Sequence, residues 1–264
     1  MADSRVHRRL LLTSASVLAP AALAGAWTLR PAAVTTPVSV PGVPAGDERV
    51  ERRRSPARGR EVDFYTAVPD GHGDGRGLPV CLILHGGSKR PAGFPGLGLG
   101  RFLTDAVGRG VPPFVLAGAT GDRLAWQPHD GDDPQRMVRH EIPSWCAARG
   151  FDTTRLAAWG WSMGGSGALL LAETFPGLVR AVAAFSPAVA PGDAVFGGAG
   201  RLAGTPVGLW CGTDDSLYPH VRELQQALPA APAAGGYEPG RHNFGYWGGR
   251  IPDAFAFLGT WLGG

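Results

Sequence analysis

One short segment restricts the fold of this chain more than any other, Gly160-Trp161-Ser162-Met163-Gly164-Gly165. An apolar run at 155–159 precedes it, and small and apolar residues at 166–172 follow it. This order predicts a buried strand, a tight turn and a helix, with glycines that let neighbouring backbone pass close by. A Gly-x-Ser-x-Gly turn in that context presents the serine hydroxyl above the end of the strand. We therefore predict that Ser162 is a nucleophile and that the backbone N–H of Met163 faces the developing oxyanion. The alternative is a glycine-rich turn whose serine has no role.

Two adjacent aspartates are candidates for the acid that would orient a catalytic base. Residues 205–211 predict a buried strand, and Asp214 and Asp215 follow it directly. Open α/β sheets commonly carry site residues just beyond the C-terminal ends of their strands. The Gly-x-x-Asp spacing from Gly212 favours Asp215, with Asp214 as the alternative. One of the two could instead cap the helix predicted around residues 220–228.

The predicted general base is His242. It follows both aspartates, on a predicted loop at the end of the short run Gly236-Tyr237-Glu238. His220 also follows the aspartates, but its neighbours predict a helix. A serine hydroxyl is a poor nucleophile at neutral pH, so a base must take its proton during attack and return it to the leaving group. The aspartate would fix the imidazole tautomer and stabilise the imidazolium.

A second apolar run, residues 78–84, leads into His85-Gly86-Gly87-Ser88. A continuous apolar run of this kind is typical of a strand that is buried on both faces of a sheet. The loop after this strand is expected to supply a second oxyanion donor, which is the backbone N–H of either Gly87 or Ser88. The sequence does not decide between the two. His85 is expected to brace this loop. The alternative is a glycine turn without a role.

These segments resemble the α/β-hydrolase esterase family that includes esterase D, S-formylglutathione hydrolase, feruloyl esterases and mycolyltransferases of the antigen 85 type. The resemblance covers roughly residues 48–264. It rests on His85-Gly86-Gly87, Gly131-Asp132-Asp133-Pro134, Gly160 to Gly165, Gly212-Thr213-Asp214-Asp215 and His242-Asn243-Phe244-Gly245-Tyr246-Trp247. The resemblance implies acyl-ester hydrolysis or acyl transfer through an acyl-enzyme, without a cofactor. The chain differs from S-formylglutathione hydrolases in its export-like N-terminus, and it is shorter than typical mycolyltransferases.

The N-terminal part predicts export. Residues 1–26 contain three arginines, an apolar run and the small-x-small signature Ala24-Gly25-Ala26. This pattern is typical of a secretory signal peptide, and Arg8-Arg9 also fits a twin-arginine signal loosely. The alternative is an uncleaved N-terminal anchor. Residues 27–47 are rich in proline and predict an extended linker, so the protein is expected to be secreted or associated with the cell envelope.

The remaining residues, 48–264, predict one catalytic domain of the α/β class. Residues 48–54 and 60–68 suggest an antiparallel hairpin at one sheet edge. Beyond them strand and helix patterns alternate, which favours the α/β-hydrolase fold, with a mostly parallel central sheet of about eight strands and helices on both faces. The last helix is predicted at about residues 252–262.

The charge distribution and the cysteine content argue against nucleic-acid binding by the domain and against a required disulfide bridge. The chain has a formal net charge of +3. Residues 1–60 carry ten arginines against four acids, so residues 61–264 are net negative by three. The basic character of the whole chain is therefore no evidence of nucleic-acid binding by the domain. No metal site is predicted, and the three cysteines are expected to need no disulfide bridge.

Aromatic side chains near the strand ends are candidates for substrate contacts. Trp126, Trp161 and Tyr218 would suit an acyl chain or a ring, although tryptophans are often simply core residues.

Three functions remain open. The first is a secreted carboxylesterase, the second an acyltransferase acting on cell-envelope acceptors with the same triad, and the third a non-catalytic binding protein on this scaffold. The expected partner is a small-molecule or cell-envelope ester, without nucleic acid and without a membrane span in the mature domain.

Overall fold

The computed structural model describes residues 38–264, and the predicted signal peptide lies outside them. One sheet of eight strands organises these residues. The strands are β1 Asp47–Ser55, β2 Arg60–Val68, β3 Pro79–Leu84, β4 Val115–Ala119, β5 Asp152–Trp161, β6 Val182–Phe185, β7 Val207–Gly212 and β8 Ala234–Glu238.

The strand order across the sheet is β1-β2-β4-β3-β5-β6-β7-β8. β1 pairs antiparallel with β2, and β2 pairs antiparallel with β4. All the remaining neighbours run parallel, from β4 through β8. This confirms the predicted mostly parallel sheet with an N-terminal antiparallel hairpin. Because the parallel strands end at one edge, the loops that follow β3, β5, β7 and β8 converge there.

Helices cover both faces of the sheet. They are α1 Phe94–Leu97, α2 Leu99–Gly108, α3 Pro134–Arg136, α4 Ile142–Ala148, α5 Met163–Thr174, α6 Ala194–Gly198, α7 Tyr218–Ala227 and α8 Phe244–Gly263. A π-helical turn, Met137–Glu141, joins α3 to α4, and short 3₁₀ turns lie at Pro91–Gly93 and Ala199–Leu202. Between residues 38 and 264, no helix is long and apolar enough to cross a bilayer.

The two faces of the sheet form two apolar cores. Along β3, Val80, Leu82 and Leu84 join the core that contains α4, α5 and α7. Cys81 and Ile83 alternate with them and join the core beneath α2 and α8. This strict alternation of buried residues is what a strand covered on both sides requires. It confirms that the run at 78–84 is an interior strand.

Helix α8 begins eight residues earlier than the sequence predicted. The Asn243 side chain accepts a hydrogen bond from the Tyr246 N–H at 3.1 Å and caps the helix directly after His242. Pro252, which suggested a helix start, lies inside the helix. The prediction of a start near 252 was wrong because Pro is a common first-turn residue and Gly245, together with two later glycines, lowers the local helix propensity.

Part of the predicted linker packs on the domain. Val38 contacts the core beneath α8, and a Cβ on Gly248 would lie 2.6 Å from its Cγ1 atom. A Cβ on Gly98 would lie 2.3 Å from Val40. Residues 38–46, which belong to the predicted linker, therefore lie against the domain in the described part of the chain.

Candidate active site

Ser162 occupies the sharp turn between β5 and α5. Its backbone has a φ of 55° and a ψ of −125°, a conformation that is costly for any residue with a side chain. The turn depends on glycine, because a Cβ on Gly164 would lie 1.8 Å from the Leu84 carbonyl oxygen. A Cβ on Gly160 would lie 2.1 Å from the Gly164 carbonyl oxygen. These close approaches hold the serine at the edge of the sheet where the loops converge.

The structure brings Ser162, His242 and Asp215 into one hydrogen-bonded chain. His242 Nε2 lies 2.8 Å from Ser162 Oγ. On the other side of the ring, His242 Nδ1 lies 2.8 Å from Asp215 Oδ2. With Nδ1–H donated to the carboxylate, Nε2 is free to accept the serine proton. This is the geometry that nucleophile activation by a histidine base requires.

The two candidate aspartates have different environments. Asp215 is 4% exposed, and its Oδ1 accepts a hydrogen bond from the Leu217 N–H at 2.9 Å. Burial alone would raise the pKa of Asp215, but hydrogen bonds from His242, Leu217 and Ser186 outweigh it and hold the pKa below its ordinary value. Asp214 is exposed to solvent and makes no side-chain contact with His242 among the described residues. The carboxylate beside the histidine is thus ionised and belongs to Asp215.

Backbone donors face the space in front of Ser162. Met163 is the first residue of α5, so its N–H has no carbonyl acceptor within the helix. Gly87 and Ser88 line the same pocket as Ser162. Within the described part of the chain, neither of their N–H groups donates to a backbone carbonyl. All three predicted oxyanion donors therefore remain available, and the choice between Gly87 and Ser88 stays open.

His85 braces the loop that carries these donors. Its Nε2 accepts a hydrogen bond from the Gly121 N–H at 2.8 Å, while Nδ1 lies 2.8 Å from the Gly86 carbonyl oxygen. Trp126 Nε1 donates to the His85 carbonyl at 3.1 Å. Burial lowers the pKa of His85 to about 4, so the ring is neutral near pH 7. A neutral ring with its proton on Nδ1 satisfies both contacts.

A pocket of about 350 Å³ opens in front of Ser162. Aromatic side chains and the two oxyanion-loop residues form most of its wall. The pocket is lined by Gly86, Gly87, Ser88, Lys89, Trp161, Ser162, His242, Asn243, Phe244 and Trp247. Trp161 is one of these lining residues, although only 1% of it is exposed. Lys89 is the one lining residue with a permanent charge.

Two predicted substrate contacts lie elsewhere. Trp126 is fully buried, and its ring fills the space left by Gly121 and Gly167. It packs within the loop after β4 and is not among the residues that line the pocket in front of Ser162. Tyr218 does not line the pocket and packs instead against Tyr237, with ring centroids 5.3 Å apart. Both residues were chosen for their position near strand ends, which does not fix the direction of a side chain.

Sequence reasoning missed the role of Trp247. Its indole meets the His242 imidazole edge to face, with centroids 4.8 Å apart and planes at 87°. The sequence held a signal for this contact, because Trp247 lies only five residues after His242, on the first turns of a capped helix.

No group of three His, Cys, Asp or Glu side chains within residues 38–264 is arranged to hold a metal ion.

A family model described as "Putative esterase" matches residues 55–220, more than half of the chain. The matched segment contains the strand, turn and helix around Ser162 and both candidate aspartates. The chain belongs to this esterase family. It is a serine hydrolase that acts on ester bonds. No curated protein sequence matches the chain.

Solved structures share the architecture. A ferulic acid esterase superposes with a TM-score of 0.73 at 18% identity, covering 82% of this chain and 98% of its own. An S-formylglutathione hydrolase from Agrobacterium tumefaciens gives a TM-score of 0.65 at 18% identity, covering 86% and 99%. MPT51 (FbpC1) from Mycobacterium tuberculosis gives 0.61 at 17% identity, covering 81% and 98%. Likeness at these identities establishes the α/β-hydrolase fold and leaves the substrate open.

Proposed function

We propose that this chain is an exported carboxylesterase that hydrolyses acyl esters through an acyl-enzyme on Ser162. The observation that carries the proposal is the continuous hydrogen-bonded chain from Ser162 through His242 to Asp215, with 2.8 Å at each step. A buried, ionised carboxylate at one end and a pocket at the other support the assignment of roles.

In the first half-reaction, Ser162 Oγ attacks the ester carbonyl carbon while its proton passes to His242 Nε2. The carbonyl oxygen becomes an oxyanion, which the N–H of Met163 and that of Gly87 or Ser88 stabilise. Loss of one such donor typically costs about 3–4 kcal/mol of transition-state stabilisation. The C–O bond to the alcohol then breaks, and His242 returns the proton to the leaving oxygen.

In the second half-reaction, water takes the place of the alcohol. His242 accepts a proton from water, the resulting hydroxide attacks the acyl-enzyme, and the carboxylic acid leaves as Ser162 recovers its proton. Throughout both steps Asp215 keeps the Nδ1–H tautomer and stabilises the imidazolium by a charge-assisted hydrogen bond. No further reactant is needed.

Export is proposed on the sequence pattern of residues 1–26. Arginines, an apolar run and small residues near position 26 together resemble a cleavable signal. Residues 48–264 then form the catalytic domain of the mature enzyme. Intact mass of the protein recovered outside the cell is expected to fit a chain that begins near residue 27. Recovery of the full 264-residue chain in the membrane fraction would support a retained anchor instead.

The experiment that tests the activity is hydrolysis of soluble p-nitrophenyl esters by the wild type and by Ser162→Ala. We expect Ser162→Ala to lose at least about three orders of magnitude in kcat, because triad members act as a unit. The matched control is Ser144→Ala, since Ser144 is exposed on α4, and its rate should stay within roughly twofold of the wild type.

Product analysis separates hydrolysis from transfer. With an added sugar or lipid alcohol, hydrolysis predicts one equivalent of carboxylic acid for each alcohol released. Faster alcohol release without extra acid would instead identify an acyltransferase, because the acceptor competes with water for the same acyl-enzyme. Unchanged turnover in Ser162→Ala would overturn the proposed mechanism altogether.

A further inference from the structure

Arg58, in the turn between β1 and β2, is an arginine whose side chain has no exposed surface. Its guanidinium donates to both carboxylate oxygens of Asp132, with 3.3 Å from Nη2 to Oδ2, and to the Asp122 carboxylate at 3.1 Å. Nη1 donates to the backbone carbonyl of Thr120. A buried ion pair usually adds little net stability, because the desolvation of both charges offsets their attraction. Stability alone is therefore a weak reason for a fully buried cation at this place.

The contacts of Arg58 tie together the two ends of the loop that follows β4. Thr120 is the first residue of this loop, and Asp132 lies at its far end. Four residues between them have φ values of 48° to 57°: Asp122, Ala125, Trp126 and Asp130. Such backbone is costly for residues with a side chain and persists only where the surrounding contacts hold it in place. Arg58 supplies contacts of this kind.

One peptide group connects Arg58 to the loop that carries two of the predicted oxyanion donors. The Thr120 carbonyl accepts from Arg58, and the N–H of the same peptide, on Gly121, donates to His85 Nε2 at 2.8 Å. Hydrogen bonds on the two sides of one peptide polarise and strengthen each other. Because Nε2 is an acceptor, the proton of the neutral ring is on Nδ1, which lies 2.8 Å from the Gly86 carbonyl oxygen. The guanidinium is thus linked to the donor loop through one peptide group and one imidazole ring.

The loop after β4 also holds the backbone of His85. Trp126 Nε1 donates to the His85 carbonyl at 3.1 Å, and its indole meets the imidazole edge to face with ring centroids 5.1 Å apart. Gly86 follows His85 directly, and the predicted donors Gly87 and Ser88 come next. An oxyanion donor is effective only within about 2.7–3.1 Å of the place where the oxyanion forms. A displacement of this support would therefore weaken the donors without removing them.

We propose that Arg58 is a positioning residue of the oxyanion hole, which acts through the Thr120–Gly121 peptide and His85. The inference rests on the proposed function, because an oxyanion forms only if Ser162 attacks an ester carbonyl. Arg58 is not among the residues that line the pocket in front of Ser162. Its substitution should therefore lower kcat and leave KM nearly unchanged.

Thionoesters distinguish a displaced oxyanion donor from a general loss of structure. In a thionoester sulfur replaces the carbonyl oxygen, and sulfur is a weak hydrogen-bond acceptor. The oxyanion donors therefore stabilise the transition state of an ester strongly and that of the matched thionoester only weakly. The test measures kcat and KM of the wild type and of Arg58→Lys with one such pair of substrates. Titration with a fluorophosphonate probe sets the concentration of active enzyme in each sample.

Lysine keeps the positive charge but lacks the planar fork that reaches Asp132 and the Thr120 carbonyl together. We expect Arg58→Lys to lower kcat for the ester by about 10- to 100-fold, which is less than the typical loss when a donor is removed outright. The thionoester rate should stay within about threefold of the wild type, because it depends little on these donors. The ratio of ester to thionoester rates should therefore fall.

Arg149→Lys is the matched control. The Arg149 side chain is 12% exposed and donates to Asp47 at 3.0 Å and to the Thr66 hydroxyl, which lie on β1 and β2. Its substitution also breaks a largely buried arginine pair of the same sheet, but the pair has no contact with His85. Arg149→Lys should lower Tm and leave the ratio of ester to thionoester rates unchanged.

If Arg58→Lys does not fold, Asp132→Asn replaces it, because asparagine keeps the size of the side chain and removes the charge that holds the guanidinium. The same fall in the ratio is expected, with a smaller magnitude. A folded variant in which both rates change by one factor, or neither changes, would overturn the inference. If the wild type hydrolyses the ester, Ser162→Ala does not, and Arg58→Lys keeps the wild-type ratio, the proposed function stands and only the role of Arg58 is lost.

Discussion

At the scale of single residues, the loop after β7 carries two adjacent carboxylates in different surroundings. Asp215 is 4% exposed and lies 2.8 Å from His242. Asp214 is exposed, and its backbone N–H donates to the Gly240 carbonyl at 3.0 Å. Neighbours in sequence thus form a pair with the same charge, loop and residue type, and they differ in burial and in contact with the histidine.

We predict that Asp215→Asn lowers kcat by about three to four orders of magnitude, because an amide cannot hold the Nδ1–H tautomer or stabilise the imidazolium. Asp214→Asn should stay within roughly threefold of the wild type, as surface substitutions usually do. Steady-state kinetics with one soluble ester measures both. Equal losses in the two variants would contradict the assignment of Asp215.

Much of the candidate site could be predicted from sequence at this scale. The turn around Ser162 requires glycines at fixed positions, so the pattern itself encodes the geometry. Asp215 and His242 follow from the order of the chain and from strand ends. Trp126 and Tyr218 could not be placed, because whether an aromatic ring faces a pocket or the core depends on packing between distant segments.

At the scale of elements, α5 has the proposed nucleophile Ser162 at its start and a buried acid near its end. Glu173 is 1% exposed, and neither carboxylate oxygen has a hydrogen-bond partner among the described residues. Burial raises the pKa of Glu173 to about 7, against the opposing charge of Arg201. The helix therefore holds a carboxyl group that is neutral below this pH and poorly solvated above it.

We predict that Glu173→Gln raises the free energy of unfolding above that of the wild type, and that this gain is larger at pH 8 than at pH 4. The folded wild type keeps the Glu173 proton up to about pH 7, whereas the unfolded chain releases it near the ordinary glutamate pKa of 4.5. The protonated Glu173 carboxyl group therefore makes its full contribution to the free energy of unfolding below pH 4.5, and this contribution is lost as the pH rises through 7. Glutamine cannot ionise, so its advantage grows over this range to about 3 kcal/mol.

Urea unfolding of wild type and Glu173→Gln across this pH range measures the difference. Glu61→Gln is the control, because Glu61 is exposed on β2 and its substitution should leave the pH dependence unchanged. Parallel stability curves for the wild type and Glu173→Gln would contradict the prediction, because they would mean that the pKa of Glu173 is the same in the folded and the unfolded chain.

Helices and strands could be predicted from the sequence where their apolar pattern is continuous, but the residues at which they begin and end were harder to predict. The interior strands are runs of apolar residues, and the structure confirms the sheet that they predict. Helix α8 shows the difficulty, since Asn243 and Pro252 are both start signals and only the observed cap decides between them. A proline within a helix is tolerated when the surrounding packing stabilises the rest of the element.

At the scale of the whole molecule, the catalytic domain is completed by residues that precede the first strand. Val38 packs beneath α8, and Ala45 fits against Gly100, where a Cβ would lie 2.6 Å from its carbonyl oxygen. Glycines at these positions leave room for the incoming chain. The proline-rich composition of residues 27–47 predicted a linker because composition alone carries no information about such contacts.

We predict that deletion of residues 1–46 lowers the stability by about 2 kcal/mol relative to deletion of residues 1–37, because the buried parts of Val38 and its neighbours return to water. In thermal unfolding this corresponds to a fall in Tm of about 4–8 °C for a domain of this size. The shorter deletion is the control for loss of the N-terminal region as such. Equal Tm values would mean that residues 38–46 act only as a linker.

The central claim is that His242 and Asp215 activate one serine, Ser162. Intact mass after treatment with a fluorophosphonate probe tests this most directly, because the probe phosphonylates activated serines regardless of the substrate. We predict one adduct on the wild type, none on Ser162→Ala and one on Ser144→Ala. No adduct on the folded wild type, or an adduct that persists in Ser162→Ala, would contradict the account.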